Sequence, residues 1–298
     1  MILGCGNFGG IGSAPAFFGQ GETLEQAFDV MDAAWDTDIT WFDTADAYGG
    51  GRSETYVGEW IRARKPDGLR ITTKTFNPMA EGEDRGLAPT RVRRQIDTSL
   101  QRLGVERVDL YLAHAWDPDV PIAETVGAFD ELVAAGKVGA YGLCNVDSPQ
   151  LGEALAVGPV AAVQNSYSLL DREAEPVISL CRMNNTWFQA HSPLMGGWLT
   201  GKYRRDTPAP EGSRMTLRSG PYEYLRDDRV YDALEAFVRR GHPATLALGW
   251  LLGDERVSVV IGPRRPAHLV PALEALANPL TQEERDALSD EFRLVPQS

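Results

Sequence analysis

The sequence predicts a closed α/β barrel, (β/α)8 of the TIM type, with long rim loops and a short C-terminal helix. Three observations carry this expectation. Strand-length apolar runs alternate with amphipathic helix-length segments eight times along 298 residues, the order of a parallel sheet with helices outside. Chemically capable side chains recur at the C-terminal ends of successive runs, the rim where such barrels hold their chemistry. No internal repeat and no low-complexity linker divides the chain, so residues 1–298 are read as a single domain.

The elements follow in order. Strands are expected near Met1–Gly6, Ile39–Asp43, Leu69–Lys74, Val108–His114, Val138–Cys144, Val160–Asn165, Thr186–Ala190 and Val257–Gly262. Helices are expected near Thr23–Asp36, Ser53–Arg64, Ala88–Leu103, Ile122–Ala135, Ser148–Ala156 and Ala174–Asn184. Arg229–Arg239 with Ala244–Leu252 follows the seventh strand, and Pro266–Leu276 the eighth. In the third helix Val92, Ile96, Leu100 and Leu103 form one apolar stripe. Ser148-Pro149 opens the fifth with a cap and a first-turn proline. Thr281-Gln282-Glu283-Glu284 has the spelling of a capping box and starts the terminal helix.

An open doubly wound sheet is the competing architecture. Gly4-Cys5-Gly6-Asn7-Phe8-Gly9 matches the Gly-x-Gly-x-x-Gly spelling of its first turn, but no helix pattern begins at Gly9. The glycines are therefore read as a loop. Long loops after the first strand (Pro15–Gly21) and the seventh (Gly197–Asp228) are expected to bind ligands.

Composition excludes several classes. Net charge is −13 and no Lys/Arg block occurs, so nucleic acid is not an expected partner. No apolar run reaches membrane-spanning length, and Met1–Gly12 lacks the basic start of a signal peptide. Cys5, Cys144 and Cys181 are odd in number with no CxxC spacing. They are read as free thiols of a cytoplasmic protein without a metal site. Whether the protein is a monomer or a homo-oligomer does not follow from the sequence.

Asp43, Tyr48, Lys74 and His114 close or follow three successive strands. A carboxylate, a phenol, an ammonium and an imidazole would converge on the rim of a closed barrel. A phenol beside a cation and an imidazole is a candidate proton donor. Trp41, Trp187 and Trp250 lie in apolar runs and are assigned to the core. Phe8, Trp116 and Trp198 lie in rim loops and are expected to line an aromatic substrate pocket. His191 and His242 are read as hydrogen-bonded structural residues.

Asp43-Thr44-Ala45-Asp46-Ala47-Tyr48-Gly49, Ser53-Glu54, Thr73-Lys74 and His114-Ala115-Trp116-Asp117-Pro118 resemble the motifs of the aldo-keto reductases. The resemblance continues at Gly142-Leu143-Cys144-Asn145, Gln164-Asn165-Ser166-Tyr167, Ser192-Pro193-Leu194, Gly201-Lys202, Gly212-Ser213-Arg214 and Ile261-Gly262-Pro263-Arg264, nearly the whole chain. It implies reduction of an aldehyde, ketone or sugar carbonyl with NADPH. Tyr48 would give the proton, with the Lys74 ammonium favouring phenolate and Asp43 holding that ammonium, and His114 would orient the carbonyl oxygen. Asn145 and Gln164 would hold the nicotinamide carboxamide and Tyr167 would stack on its ring. Ser192, Leu194, Lys202 and Arg214 would line the pyrophosphate and ribose. Gly262 and Arg264 would open a phosphate-binding helix, with Arg264 or Arg214 on the 2′-phosphate.

Some features depart from the family pattern. Cys144 stands for a usual serine, and His268 and Ala272 for a usual Gln and Asn beside the adenine. The N-terminal β-hairpin that plugs the barrel floor is expected to be lacking, leaving apolar barrel ends exposed. Two other classes compete: a cofactor-binding regulatory subunit resembling the β subunits of potassium channels, and a lyase using Lys74 as a Schiff-base amine.

Overall fold

The computed structural model describes residues 1–80, 82 and 84–293. Eight parallel strands close into a barrel in sequence order: β1 (Ile2–Gly4), β2 (Trp41–Asp43), β3 (Arg70–Thr75), β4 (Val108–Ala113), β5 (Val138–Cys144), β6 (Ala162–Ser166), β7 (Trp187–His191) and β8 (Val257–Ile261). Pairing of Leu3 with Phe42 on one side and Ile261 on the other completes the ring. The outer layer comprises α1 (Leu24–Trp35), α2 (Arg52–Arg64), α3 (Pro89–Leu103), α4 (Ile122–Ala134), α5 (Ser148–Leu155) and α6 (Glu175–Met183), then, after β7, α7 (Arg214–Leu217), α8 (Asp228–Arg239) and α9 (Pro243–Leu252). After β8 come α10 (Val270–Ala277) and α11 (Gln282–Glu291). The first helix starts at Leu24, well past Gly9, so the glycine-rich turn is a loop as read.

Alternation along the strands sorts the side chains. Phe42, Ile71, Tyr111, Ala113, Tyr141, Leu143, Val163, Phe188 and Ala190 face outward and bury against the helices. Trp41 and Asp43, Thr72 and Lys74, Leu110 and Leu112, and Ala162 and Gln164 face inward. Inside, Leu110, Leu112 and Ala162 form a small apolar plug against which Trp41 and Ala140 pack. The Arg70 guanidinium lies 4.5 Å from the Trp41 ring centroid, and Trp41 Nε1 donates to Thr72 Oγ1 at 2.8 Å. The expectation of apolar barrel ends left open is thus corrected: Leu110, Leu112 and Ala162 are at most 3% exposed, packed against a half-buried tryptophan.

Several local expectations move by a residue or a turn. Asp147, one residue before Ser148, caps α5: its carboxylate accepts from Gln150 N–H and the Gln150 side chain answers from Asp147 N–H. Thr281 caps α11 as its spelling predicts. Ser53 lies inside α2 and bonds Thr44 Oγ1 and the Cys5 carbonyl, tying the helix to the barrel rim. Pro266–Leu269 is a 3-10 turn that leads into α10. Trp187, assigned to the core, is 54% exposed at the start of β7, whereas Trp250 is buried in α9.

Candidate active site

Register brings the four rim residues together. Asp43 pairs with Thr72, so Lys74 rises two residues above it on the same inward face. The Lys74 ammonium donates to Asp43 Oδ1 at 2.5 Å and to the Thr44 carbonyl at 2.9 Å. Tyr48 begins the helical turn after β2 and returns its hydroxyl to the same point, 3.4 Å from Lys74 Nζ. His114 follows β4, its N–H bound to the Thr75 carbonyl at 2.9 Å, with Nε2 3.5 Å from the Tyr48 hydroxyl. The phenol oxygen therefore sits between an ammonium and an imidazole.

Burial sets the protonation states. The Lys74 side chain is fully buried. Desolvation alone would discharge it, but the fields of Asp43, Tyr48 and Cys144 and the Asp43 hydrogen bond outweigh this and raise its pKa. An amine held charged against Asp43 is a poor Schiff-base nucleophile, which counts against the lyase reading. The Tyr48 phenol is pushed up to about 12, chiefly by burial, with Lys74 pulling against it. The cation favours phenolate as expected, but it only moderates a rise that desolvation dominates. Burial, then the charges of Lys74 and His191, lowers the His114 pKa well below 6.5, so its ring is neutral. His191 falls to about 4 through burial and Lys74.

Gln164 donates to Asp43 Oδ2 at 2.8 Å and to Gln189 Oε1 at 2.9 Å. Both amide protons are committed, which leaves its oxygen as an acceptor. Asn145 Nδ2 donates to the His114 carbonyl at 3.0 Å, and its Oδ1 lies 2.9 Å from His191 Nε2. Asn145 and Ser192 follow β5 and β7 with φ of 56° and 55°, a left-handed conformation uncommon outside glycine. Ser192 Oγ lies 3.0 Å from His191 Nδ1, so the two residues fix the imidazole between them.

Tyr167 is a correction. Its ring packs on Phe188 at 5.9 Å and Trp250 at 5.2 Å between centroids, in the layer between barrel and helices. Alternation is the reason: counting from inward Gln164, Tyr167 falls on the outward parity. The same count from inward Gln189 puts His191 at the mouth, a signal the sequence contained. Phe8 and Trp198 are corrections too. They are 0% and 1% exposed. Trp198 packs against Tyr203 and Tyr231 at 5.1 and 5.6 Å, because a large apolar ring in a rim loop is drawn beneath the loop. Trp116 is half-buried against the core near His114 in sequence.

Lys202, Arg214 and Arg264 gather at one side of the mouth. Burial lowers the pKa of both Lys202 and Arg214, aided at Lys202 by the charges of Arg214 and Arg264 and at Arg214 by those of Arg218 and Arg264. Gly197, at φ 98°, lets the lysine pass: a Cβ there would stand 2.4 Å from Lys202 Nζ. Arg214 donates to Asn7 Oδ1 at 2.8 Å. Arg264 donates from Nε to Glu22 Oε1 at 2.5 Å and from Nη1 to the Gly212 carbonyl at 2.8 Å. Glu22 is buried, its Oε2 has no partner among the described residues, and desolvation raises its pKa. Gly262 and Arg264 precede the 3-10 turn before α10, and Leu194 opens the turn Met195–Thr200. Glu22, bound to Arg264, and Asn77, whose Nδ2 lies 3.2 Å from His114 Nδ1, are neighbours of this site that no sequence pattern marks. Each lies in a loop whose path no periodicity describes.

The profile of the aldo/keto reductase family matches residues 1–290. The chain belongs to this family. An aldo-keto reductase of Strobilurus tenacellus is 35% identical over 298 residues, covering 95% of this chain and 86% of that protein. The NADH-specific methylglyoxal reductase of Escherichia coli is 32% identical over 290 residues, covering 89% and 87%. The glycerol dehydrogenase of Gluconobacter oxydans superposes with a TM-score of 0.83 at 29% identity, over 100% of this chain and 92% of that one. Membership and fold together imply an oxidoreductase that uses a nicotinamide dinucleotide on small carbonyl compounds. Among the described residues of this aldo-keto reductase no helix is long and apolar enough to cross a membrane.

Proposed function

We propose that the barrel of residues 1–298 is an NADPH-dependent reductase of an aldehyde, ketone or sugar carbonyl, with Tyr48 as proton donor. One observation carries the reading: the Tyr48 hydroxyl stands 3.4 Å from a buried ammonium and 3.5 Å from a neutral imidazole. Bound nicotinamide supplies the hydride. The protein's share is the proton and the placement of the carbonyl. With the His114 proton on Nε2, that nitrogen and the Tyr48 hydroxyl both donate, and a carbonyl oxygen between them is polarised before the proton moves. The Tyr48 proton passes to the carbonyl oxygen, and the phenolate left behind faces Lys74. Asp43, itself held by Gln164, and the Thr44 carbonyl hold the ammonium in place, so no reorganisation is needed as that charge develops. Half-buried Trp116 is the aromatic wall we assign to the substrate.

The residues fit a dinucleotide. Lys202, Arg214 and Arg264 crowd together at the cost of lowered pKa values for the first two, and a phosphate would relieve that repulsion. We assign Ser192, Leu194 and Gly262 to the pyrophosphate and ribose, and Asn145 and the Gln164 side-chain oxygen to the nicotinamide carboxamide. The E. coli relative is NADH-specific, so the choice of NADPH rests on these cations and not on family membership. The three cysteines are free and buried, which supports a cytoplasmic setting. A panel of small aldehydes, ketones and sugars with NADPH and with NADH, followed by loss of dinucleotide absorbance, tests the reading. Turnover faster with NADPH is the expected result. No turnover on any carbonyl, or a preference for NADH, would overturn it.

A further inference from the structure

We infer that Asn77 is a positioning residue that fixes the tautomer of His114, so that the imidazole faces the reacting oxygen as a donor. The inference deepens the proposed carbonyl reduction and rests on it for its catalytic consequence. Asn77 Nδ2 lies 3.2 Å from His114 Nδ1, on the far side of the ring from Tyr48. A neutral imidazole carries one proton. An amide N–H directed at Nδ1 makes that nitrogen the acceptor and puts the proton on Nε2, the nitrogen 3.5 Å from the Tyr48 hydroxyl. With the opposite tautomer, Nε2 would accept a hydrogen bond from the phenol and turn its O–H away from a substrate.

Asn77 is itself held. Arg91 is 2% exposed and reaches across from α3. Its Nη2 donates to the Asn77 carbonyl at 2.8 Å. Its Nη1 donates to Thr75 Oγ1 at 2.8 Å and to the Gly86 carbonyl at 3.0 Å. The loop after β3 is thereby clamped to the strand that carries Lys74. His114 is fixed from its other side by Thr75, through its backbone N–H, and by Asn145, which binds its carbonyl. One loop residue and one strand end thus share an anchor, Thr75, and the Asn77–imidazole geometry is built rather than incidental.

Long-range nitrogen–proton correlation spectra of the labelled protein test this without substrate. The chain has four histidines, and loss of one signal set in His114→Gln assigns the resonance. The expected result is a neutral His114 protonated at Nε2. In Asn77→Asp the carboxylate accepts instead, and the proton should appear on Nδ1. In Asn77→Leu both tautomers should be seen. Asn77→Leu should also lose roughly tenfold in kcat/KM, the scale of one hydrogen bond, with dinucleotide affinity unchanged. An Nδ1 proton in the wild-type protein, or an unaltered tautomer in Asn77→Asp, would overturn the inference. The wild-type spectrum decides even if a variant fails to fold. A protein with the Nε2 proton locked by Asn77 that reduces no carbonyl would support this inference and sink the proposed activity.

Discussion

The Lys74 ammonium stands 3.4 Å from the Tyr48 hydroxyl while its position is set by Asp43, 2.5 Å away. The phenol thus meets a cation that is already neutralised and anchored. Such a cation does little to ionise the phenol at rest, which is why burial dominates and lifts it to about 12. Its value appears when the proton has left and a phenolate must be stabilised.

Lys74→Met should therefore lower the rate of carbonyl reduction and should not add to the loss in Tyr48→Phe, since the two side chains act as one unit. Steady-state kinetics of the single and double variants check this. Multiplicative losses in the double variant would mean that the residues act separately.

The rate of reduction should show no histidine titration. His114 is held well below 6.5 by burial and the charges of Lys74 and His191, and His191 is near 4. With the phenol protonated up to about 12, the maximal rate should stay level from about pH 6 to about pH 9. A limb with a midpoint near 6.5, the ordinary histidine value, would contradict the protonation states described.

Asp46 predicts a pH-dependent stability. Burial first, then Glu54, raises its pKa from 3.8 to about 7, while Thr75 donates to Oδ2 at 2.7 Å and Oδ1 has no partner among the described residues. A raised carboxyl pKa means that the folded state binds its proton more tightly. The contribution is complete below about 3.8 and is lost as pH climbs through about 7. Asp46→Asn should leave stability little changed at acidic pH and increase it above about 7. Urea unfolding at pH values on both sides of that window measures it. A variant that is less stable at alkaline pH would count against the assignment.

Glu22 should govern the choice of dinucleotide. Its carboxylate engages Arg264 at 2.5 Å within a cluster of cations that we assign to phosphate. Glu22→Gln removes a negative charge beside the proposed 2′-phosphate position. Calorimetric titration should show tighter NADPH and nearly unchanged NADH. Arg264→Ala should do the reverse, weakening NADPH by about 1.5–3 kcal/mol, the range for a hydrogen bond to a charged group, or roughly ten- to a hundredfold. Equal losses for both dinucleotides would show that Arg264 does not read the phosphate.

The barrel was legible because its signal is periodic. Alternation of runs locates all eight strands, and strand ends mark Asp43, Lys74 and His114. Tyr167 shows where motif order misleads: it follows Gln164 closely, yet strand parity turns it toward Trp250. Trp198 and Phe8 show that an aromatic residue in a loop obeys the pull of the core as readily as that of a ligand. Asn77 and Glu22 were invisible for a different reason. Their roles depend on where a loop returns in space, and only the fold brings Asn77 to His114 or Glu22 to Arg264.

The most direct test of the account is single-turnover reduction of a reactive aldehyde by Tyr48→Phe loaded with NADPH. The substitution removes one hydroxyl and keeps the ring that packs edge-on against His114. Dinucleotide affinity should stay within about twofold of wild type, while the reduction step slows by about 10²–10⁴-fold, the usual loss for a missing proton donor. Reduction within about threefold of the wild-type rate, below that expected range, would contradict the claim that the Tyr48 hydroxyl supplies the proton.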